Sequence, residues 1–174
     1  MTQTFQEKEL QFKFPANLDV EELDKQGVRL PAGMSLVDFV VTEDKRIFLI
    51  EVKDPSHSRT PEKERKKYLE RLKNNSLINN ELTPKARDSY TFLHLMEKDS
   101  KPFVYVVLFG LDSYEDEAAL LLGFKDRLLK RIRYEAKQPW ERQYLQDCIV
   151  ISTKQWNEQF PDWQVSRLSA GGSP

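Results

Sequence analysis

Apolar residues follow the spacing of β-strands in five segments of this chain. Alternation over Leu10–Pro15 predicts a strand. Two segments rich in Val, Ile and Phe, Met34–Thr42 and Arg46–Lys53, flank a short polar stretch and predict a hairpin. The continuous apolar run Phe103–Phe109 is typical of a strand covered on both faces, and Asp147–Ser152 predicts a shorter buried strand.

The intervening segments carry helix signals. Thr60, Pro61 and Glu62 predict the start of a charged helix that runs to about Lys73, and Thr83-Pro84 predicts the start of a second helix. Two further helices are predicted over 116–137 and 154–160. Strands joined by helical crossovers predict an α/β fold with a mixed central β-sheet flanked by helices. We predict a single domain over residues 1–168 and a flexible tail over 169–174.

Composition limits the chemistry open to the chain. Its single cysteine and two histidines exclude an internal disulfide and a Cys/His zinc cluster. A bound metal would therefore be held mainly by oxygen atoms, which favours Mg²⁺ or Mn²⁺. Because neither a signal peptide nor a long apolar segment is visible, we expect a cytoplasmic protein that makes no use of a membrane.

Three charged residues of the predicted hairpin carry the candidate chemistry. Asp38 lies inside an apolar strand, where an unpaired carboxylate would cost several kcal/mol. Glu51 and Lys53 share one face of the next strand, because strand side chains alternate with a period of two. With a turn at 43–45, position 38 pairs with position 50 or 51, so the three side chains are predicted to converge.

Two carboxylates and a lysine suit metal-assisted hydrolysis of a phosphodiester. Asp38, Glu51 and the backbone carbonyl of Val52 could hold a hard cation that keeps several water ligands. Lys53 could orient or deprotonate the attacking water and place positive charge opposite the transition state. The structural alternative is a buried acid, Asp38, that is simply neutralised by Lys53.

Asp38, followed by a hairpin turn and by Glu51-Val52-Lys53 at the end of an apolar strand, resembles the motif of the PD-(D/E)xK nuclease superfamily, which has the restriction-endonuclease-like fold. The resemblance implies a core with a helix, a three-strand meander, a second helix and a further strand, and residues from about 10 to 110 fit that order. It implies metal ligation by Asp38 and Glu51, catalysis by Lys53 and a Mg²⁺ cofactor. The proline of the motif is replaced by Val37.

The resemblance also implies partners for these residues. Many members supply an upstream glutamate from the first helix, for which Glu21 and Glu22 are the first candidates and Glu7 and Glu9 the next. Some families add a side chain from the following helix, and the residues placed for that role are Lys85, Arg87 and Tyr90. Homodimers are frequent among similar enzymes, so the expected partners of this chain are a second copy of itself or another protein.

The basic residues are concentrated although the formal net charge is −1. The predicted helix 61–73 carries a local excess of three positive charges, and 123–137 an excess of four. The expected nucleic-acid contacts, with DNA preferred to RNA, are Lys63, Lys66, Lys67, Lys85 and Arg87. The predicted function is a metal-dependent endodeoxyribonuclease. The alternative is a catalytically silent module of the same fold that binds nucleic acid or a partner protein.

Overall fold

The computed structural model describes residues 1–25 and 30–168, which form two β-sheets and the helices around them. The five-stranded sheet has the order β3-β4-β5-β6-β7 and the three-stranded sheet the order β1-β2-β8. The strands are β1 (Thr2–Glu7), β2 (Leu10–Pro15), β3 (Asp19–Glu22), β4 (Phe39–Thr42), β5 (Ile47–Lys53), β6 (Phe103–Phe109), β7 (Asp147–Ser152) and β8 (Gln164–Arg167).

The larger sheet is mixed, as the sequence predicted. Strands β3, β4 and β5 form an antiparallel meander, and β6 and β7 then add in parallel. The helices are α1 (Glu62–Lys73), α2 (Thr83–Leu95), α3 (Glu117–Leu121), α4 (Phe124–Arg133) and α5 (Thr153–Gln159), and a π-helical turn at Ile78–Leu82 runs directly into α2. Helix α1, the π turn and α2 form the crossover from β5 to β6.

The central sheet buries both of its faces. Leu49, Tyr105 and their neighbours on one face pack against α1, α2 and α4. On the other face Phe48 and Ile50 pack against the three-stranded sheet and Trp156 of α5. Side chains of β5 therefore alternate between two apolar layers, which is why the strand has no polar residue before Glu51.

Of the three-stranded sheet, the sequence predicted β2 but neither β1 nor β8. In β1, exposed Thr and Gln residues alternate with half-buried residues, so the strand lacks a strong apolar pattern. The turn that joins β1 to β2, at Lys8 and Glu9, contains no glycine to mark it. Strands β3 and β8 have only four residues each. The expected helix ahead of the meander is absent, because residues 1–18, all of them described, form the β1–β2 hairpin and its connection to β3.

One helix prediction was wrong in its limits, and another was right in its start but not in what precedes it. The helix expected over 116–137 is divided into α3 and α4 at Gly123, which has a left-handed φ of 68°. Helix α2 begins at Thr83 as expected, but it follows the π turn without a break, and only Asn74 and Asn75, the latter in the left-handed conformation, separate this helical segment from α1. Thr83 therefore continues a helix instead of capping one.

The first predicted hairpin strand is also shorter than expected. Residues 34–38 do not join the sheet ladder, because α2 supplies partners for their backbone donors. The N–H groups of Ser35 and Val37 donate to Asp88 Oδ2 at 3.0 Å and to Ser89 Oγ at 2.9 Å. These bonds fix the segment that carries Asp38 against the helix that carries Lys85.

Residues 169–174, the predicted tail, lie outside the described residues. Among the helices that are described, none has the length and apolar character needed to cross a membrane.

The end of β6 passes very close to the residue that follows Lys53. Gly110 N–H donates to the Lys53 carbonyl at 2.8 Å, and Arg167 holds the buried Asp54 carboxylate beside it through bonds of 2.8 and 3.0 Å. A Cβ on Gly110 would lie far inside contact distance of Asp54 Oδ1 and 3.0 Å from Arg167 Nη2.

We expect Gly110→Ala to destabilise the protein by about 1–3 kcal/mol, because the pinned Asp54 carboxylate cannot move aside. For a chain of this size the loss corresponds to a fall in melting temperature of roughly 2–4 °C per kcal/mol, measurable by differential scanning calorimetry. An unchanged melting temperature would contradict the close packing described at this position.

Candidate metal and catalytic site

Asp38 and Glu51 come opposite each other where the β4–β5 ladder ends. Phe39 pairs with Ile50, so the next position along each strand brings Asp38 to Glu51. Asp38 Oδ2 accepts the Val52 N–H at 2.6 Å. Because the N–H and C=O of a strand residue point to the same edge, the Val52 carbonyl also faces the Asp38 side.

Two further carboxylates reach Asp38 from the N-terminal part of the chain. Glu7 is the last residue of β1, and Asp24 comes two residues after the end of β3. The chain between β3 and Asp24 is held beside Asp38 because Leu23 N–H donates to the Asp38 carbonyl at 3.0 Å. One oxygen of each of Glu7, Asp24 and Asp38 lies within 4.8 Å of the others. Asp38 is buried and Asp24 exposed, so this acidic triad (Glu7, Asp24 and Asp38) extends from the interior to the surface.

Burial dominates the electrostatics of the acidic triad. It raises the pKa of Asp38 to about 8, with the nearby Glu51 charge as the second cause. Burial and the Glu7 charge also raise the pKa of Asp24. Lys25, 3.0 Å from Glu7, and Lys85 offset only part of this repulsion. The triad is therefore short of positive charge and favours either a proton or a cation.

Glu51 is held by two lysines. Lys85, from the first turn of α2, donates to both Glu51 oxygens at 2.8 and 2.9 Å, and Lys53 Nζ lies 2.8 Å from Oε1. The Glu51 side chain is 1% exposed, whereas those of Lys53 and Lys85 are 14% and 20% exposed. The carboxylate is thus buried, but both ammonium groups keep some access to solvent.

The π turn contributes an acid that completes this network. Glu81 lies four residues before Lys85, and its Oε2 is 2.9 Å from Lys53 Nζ while its other oxygen bonds to Arg71 of α1. Glu81 and Lys85, four positions apart, thus face Lys53 and Glu51, which are two positions apart on β5. Positive and negative charges therefore alternate in the order Lys85, Glu51, Lys53 and Glu81. Single-turn π insertions of this kind are frequent at functional sites.

The contacts of Lys53 keep it charged. Burial alone would lower its pKa, but the contacts with Glu51 and then Glu81 outweigh burial and raise the pKa. Glu81 shows the opposite balance, since bonds from Lys53 and Arg71 lower its pKa despite burial. Lys53 is therefore an ammonium ion suited to orient and stabilise negative charge, and it is poorly suited to act as a base.

The upstream glutamates named from the sequence are placed differently. Glu21 and Glu22 lie on β3, where Glu21 bonds to Lys98 at 2.9 Å and Glu22 bonds to Lys25 at 3.2 Å. Glu9 bonds to Ser58 and Arg167, away from the acidic triad. Among the described residues, the upstream glutamate that joins Asp38 is therefore Glu7, which was a secondary candidate, and Asp24 joins it as a second upstream acid.

The predicted nucleic-acid contacts divide into two groups. Lys85 is part of the site itself, whereas Arg87 is tied to Asp88 and Glu135. On α1, Lys63 is exposed, and Lys66 and Lys67 are 3.1 Å from the neighbouring Glu62 and Glu64. Tyr90 stacks on His94 and makes a tilted ring contact with Tyr144, and within the described part of the chain no bond joins it to the residues around Glu51.

Sequence reasoning missed Asp24 and Glu81. Asp24 lies in a connection after an edge strand, so its position carries no periodic signal. Glu81 lies in the segment that was interpreted as a break between helices, and only the π turn directs it to Lys53.

Comparison with protein-family models, curated proteins and solved structures found no match for this chain.

The raised pKa of Asp38 predicts how stability depends on pH. Between the ordinary value of 3.8 and the folded value of about 8, the folded protein binds a proton that the unfolded chain has lost. Stability therefore falls through this range as the pH rises. In EDTA at about pH 8, Asp38→Asn should be more stable than wild type by about 1 kcal/mol or more, roughly 2–4 °C in melting temperature.

The matched control is Asp44→Asn, which removes a carboxylate from the exposed β4–β5 turn. Between about pH 5 and pH 8, the melting temperature of Asp38→Asn should rise relative to that of wild type. The difference between the control and wild type should stay constant over the same range. A constant difference between wild type and Asp38→Asn across this range would contradict the buried, uncompensated carboxyl.

Proposed function

We propose that the protein is a metal-dependent nuclease of the PD-(D/E)xK type that hydrolyses phosphodiester bonds in DNA. The observation that carries the proposal is the meeting of a buried, only partly compensated Asp38 with Glu51 and two lysines at the end of β5. A purely structural ion pair would not need a carboxyl with a pKa near 8 or three carboxylates within 4.8 Å.

The donor set fits a hard divalent cation. Glu7, Asp24 and Asp38 offer only oxygen ligands, and the acidic triad reaches solvent at Asp24, which leaves room for water ligands. The Val52 carbonyl faces the same side and Glu51 comes opposite Asp38. Mg²⁺ or Mn²⁺ bound there would lower the pKa of a coordinated water and neutralise charge on the phosphate.

The lysines supply the remaining part of the chemistry. Lys53 is fixed between Glu51 and Glu81 and keeps its proton, so its role is to orient the attacking water and to stabilise negative charge on the phosphate. Lys85 provides a second ammonium on the same carboxylate. Positioned charges of this kind need no reorganisation when the phosphate approaches.

The strand arrangement is in keeping with the proposed family. An antiparallel meander carries Asp38 and Glu51, and a helical crossover leads to the parallel strand β6. The hairpin in place of the first helix is a departure, and Glu7 of β1 then takes the role that the family assigns to a helical glutamate.

A silent module of the same fold is the second candidate. Its support is the closed network around Glu51, whose two oxygens already bond to Lys53 and Lys85. This candidate predicts binding of nucleic acid or of a partner protein without cleavage.

Lys53→Ala and Asp38→Ala should each lower cleavage of plasmid and single-stranded DNA in Mg²⁺ or Mn²⁺ by about a hundredfold or more, because each removes a group that contacts the reacting phosphate, its water or the cation. The assay is gel analysis of the products, with EDTA abolishing cleavage in wild type.

Lys45→Ala, in the exposed turn at the opposite end of β5, is the matched control and should cleave like wild type. Equal rates for wild type, Lys53→Ala and Asp38→Ala would overturn the enzymatic proposal. A folded wild-type protein that is inactive with both metals would favour the silent module.

A further inference from the structure

The C-terminal half of α4 and the loop that follows it form a basic surface outside the candidate site. Residues 130–142 contain five basic and two acidic residues, a net charge of +3. We call this the α4 basic surface, and its basic members are Lys130, Arg131, Arg133, Lys137 and Arg142. The helix dipole accounts for basic residues in the last turn of α4, but it does not account for Lys137 and Arg142 beyond it.

These charges are not neutralised within the part of the chain that the structure describes. None of the five basic side chains forms an ion pair with a described residue. Of the two acids, Glu135 is bonded to Arg87 of α2. The lysines of α1 differ in this respect, because Lys66 and Lys67 lie 3.1 Å from acids on their own helix.

Two aromatic side chains are exposed within the same surface. Tyr134 is 52% exposed and Trp140 is 37% exposed. The backbone N–H of Trp140 donates to the Arg133 backbone carbonyl at 3.1 Å, which fixes the loop to the end of α4. Its ring borders a small cavity lined by Leu129, Ile132 and Leu145 and remains partly open to solvent. A fixed aromatic ring among unpaired cations is the arrangement that stacks on unpaired bases while lysines contact phosphates.

Helix α2 contacts both the candidate site and the α4 basic surface. Lys85 bonds to Glu51, and Arg87, two residues further along the helix, bonds to Glu135 just after α4. Positions two apart on a helix do not face each other, so these two contacts are made from different sides of α2.

We infer that the α4 basic surface binds single-stranded nucleic acid, with Trp140 and Tyr134 stacking on unpaired bases. The inference rests on the proposed function, because it identifies the substrate of the proposed nuclease as a strand with unpaired bases. Lys130, Lys137 and Arg142 contact the phosphates. Because the net charge over the whole chain is −1, polyanion binding is favoured only at local surfaces with a basic excess, of which the α4 basic surface is one.

Fluorescence anisotropy with a labelled oligothymidylate of about 20 nucleotides, in EDTA, tests the inference without requiring cleavage. Trp140→Ala should weaken binding of the oligonucleotide about tenfold and leave a duplex of equal length unaffected. Lys130→Ala/Lys137→Ala should reduce the slope of log affinity against log salt by about 1.4, since each single-strand phosphate contact contributes about 0.7. If Trp140→Ala fails to fold, Tyr134→Ala, at a more exposed position, provides the same test and should also weaken binding.

Lys13→Ala/Lys45→Ala removes the same charge from β2 and the β4–β5 turn and should leave affinity within about twofold of wild type, because both lysines are exposed and lie outside the α4 basic surface. An equal loss from this control variant, or no loss from both aromatic variants, would overturn the inference. Equal binding of polyglutamate, insensitive to the aromatic variants, would overturn it in favour of an acidic protein partner. Tight oligonucleotide binding by a protein that never cleaves would retain the inference and remove only the hydrolytic function.

Discussion

The carboxylate of Asp38 is buried at the point where the β4–β5 ladder stops, and the other parts of the site are arranged around it. It accepts the Val52 N–H at 2.6 Å, which bridges the two strands one position beyond their last ladder pair. Glu51 lies across from it, and Glu7 and Asp24 approach from the other side. Burial, with too little positive charge nearby to balance it, raises the pKa of Asp38 to about 8. The buried carboxylate is therefore stabilised by binding either a proton or a cation.

The rest of the fold holds that carboxylate in place. Asp88 and Ser89 of α2 bind the backbone just before Asp38, and the same helix directs Lys85 onto Glu51. The π turn lets Glu81 meet Lys53, so the crossover between β5 and β6 both covers the sheet and supplies the charges that alternate along the site. The β1–β2 hairpin, packed on the opposite face, delivers Glu7 at the end of its first strand.

The central hairpin was predictable because strand periodicity is local: alternation along 47–53 places Glu51 and Lys53 together, and the turn length brings Asp38 opposite. The acidic triad was not predictable in full, because β1 is polar on its exposed face and Asp24 lies in a connection without periodicity. Lys85 was named as a candidate from a family resemblance, but its contact with Glu51 depends on how a π turn sets the rotation of α2. Tertiary contacts decided each of these features, since Asp24 and Glu7 lie 14 and 31 positions before Asp38, and Lys85 lies 34 positions after Glu51.

The proposed role of Asp38 as a metal ligand in a phosphodiester-hydrolysing site has a direct test. The measurement is anomalous diffraction from crystals of the wild-type protein grown with Mn²⁺. We expect an anomalous peak at coordination distance from an Asp38 carboxylate oxygen, with Glu7, Asp24, Glu51 or the Val52 carbonyl among the other ligands. A well-ordered site in which Asp38 holds no Mn²⁺ and Glu51 remains bonded to Lys53 and Lys85 would show that Asp38 is not a metal ligand.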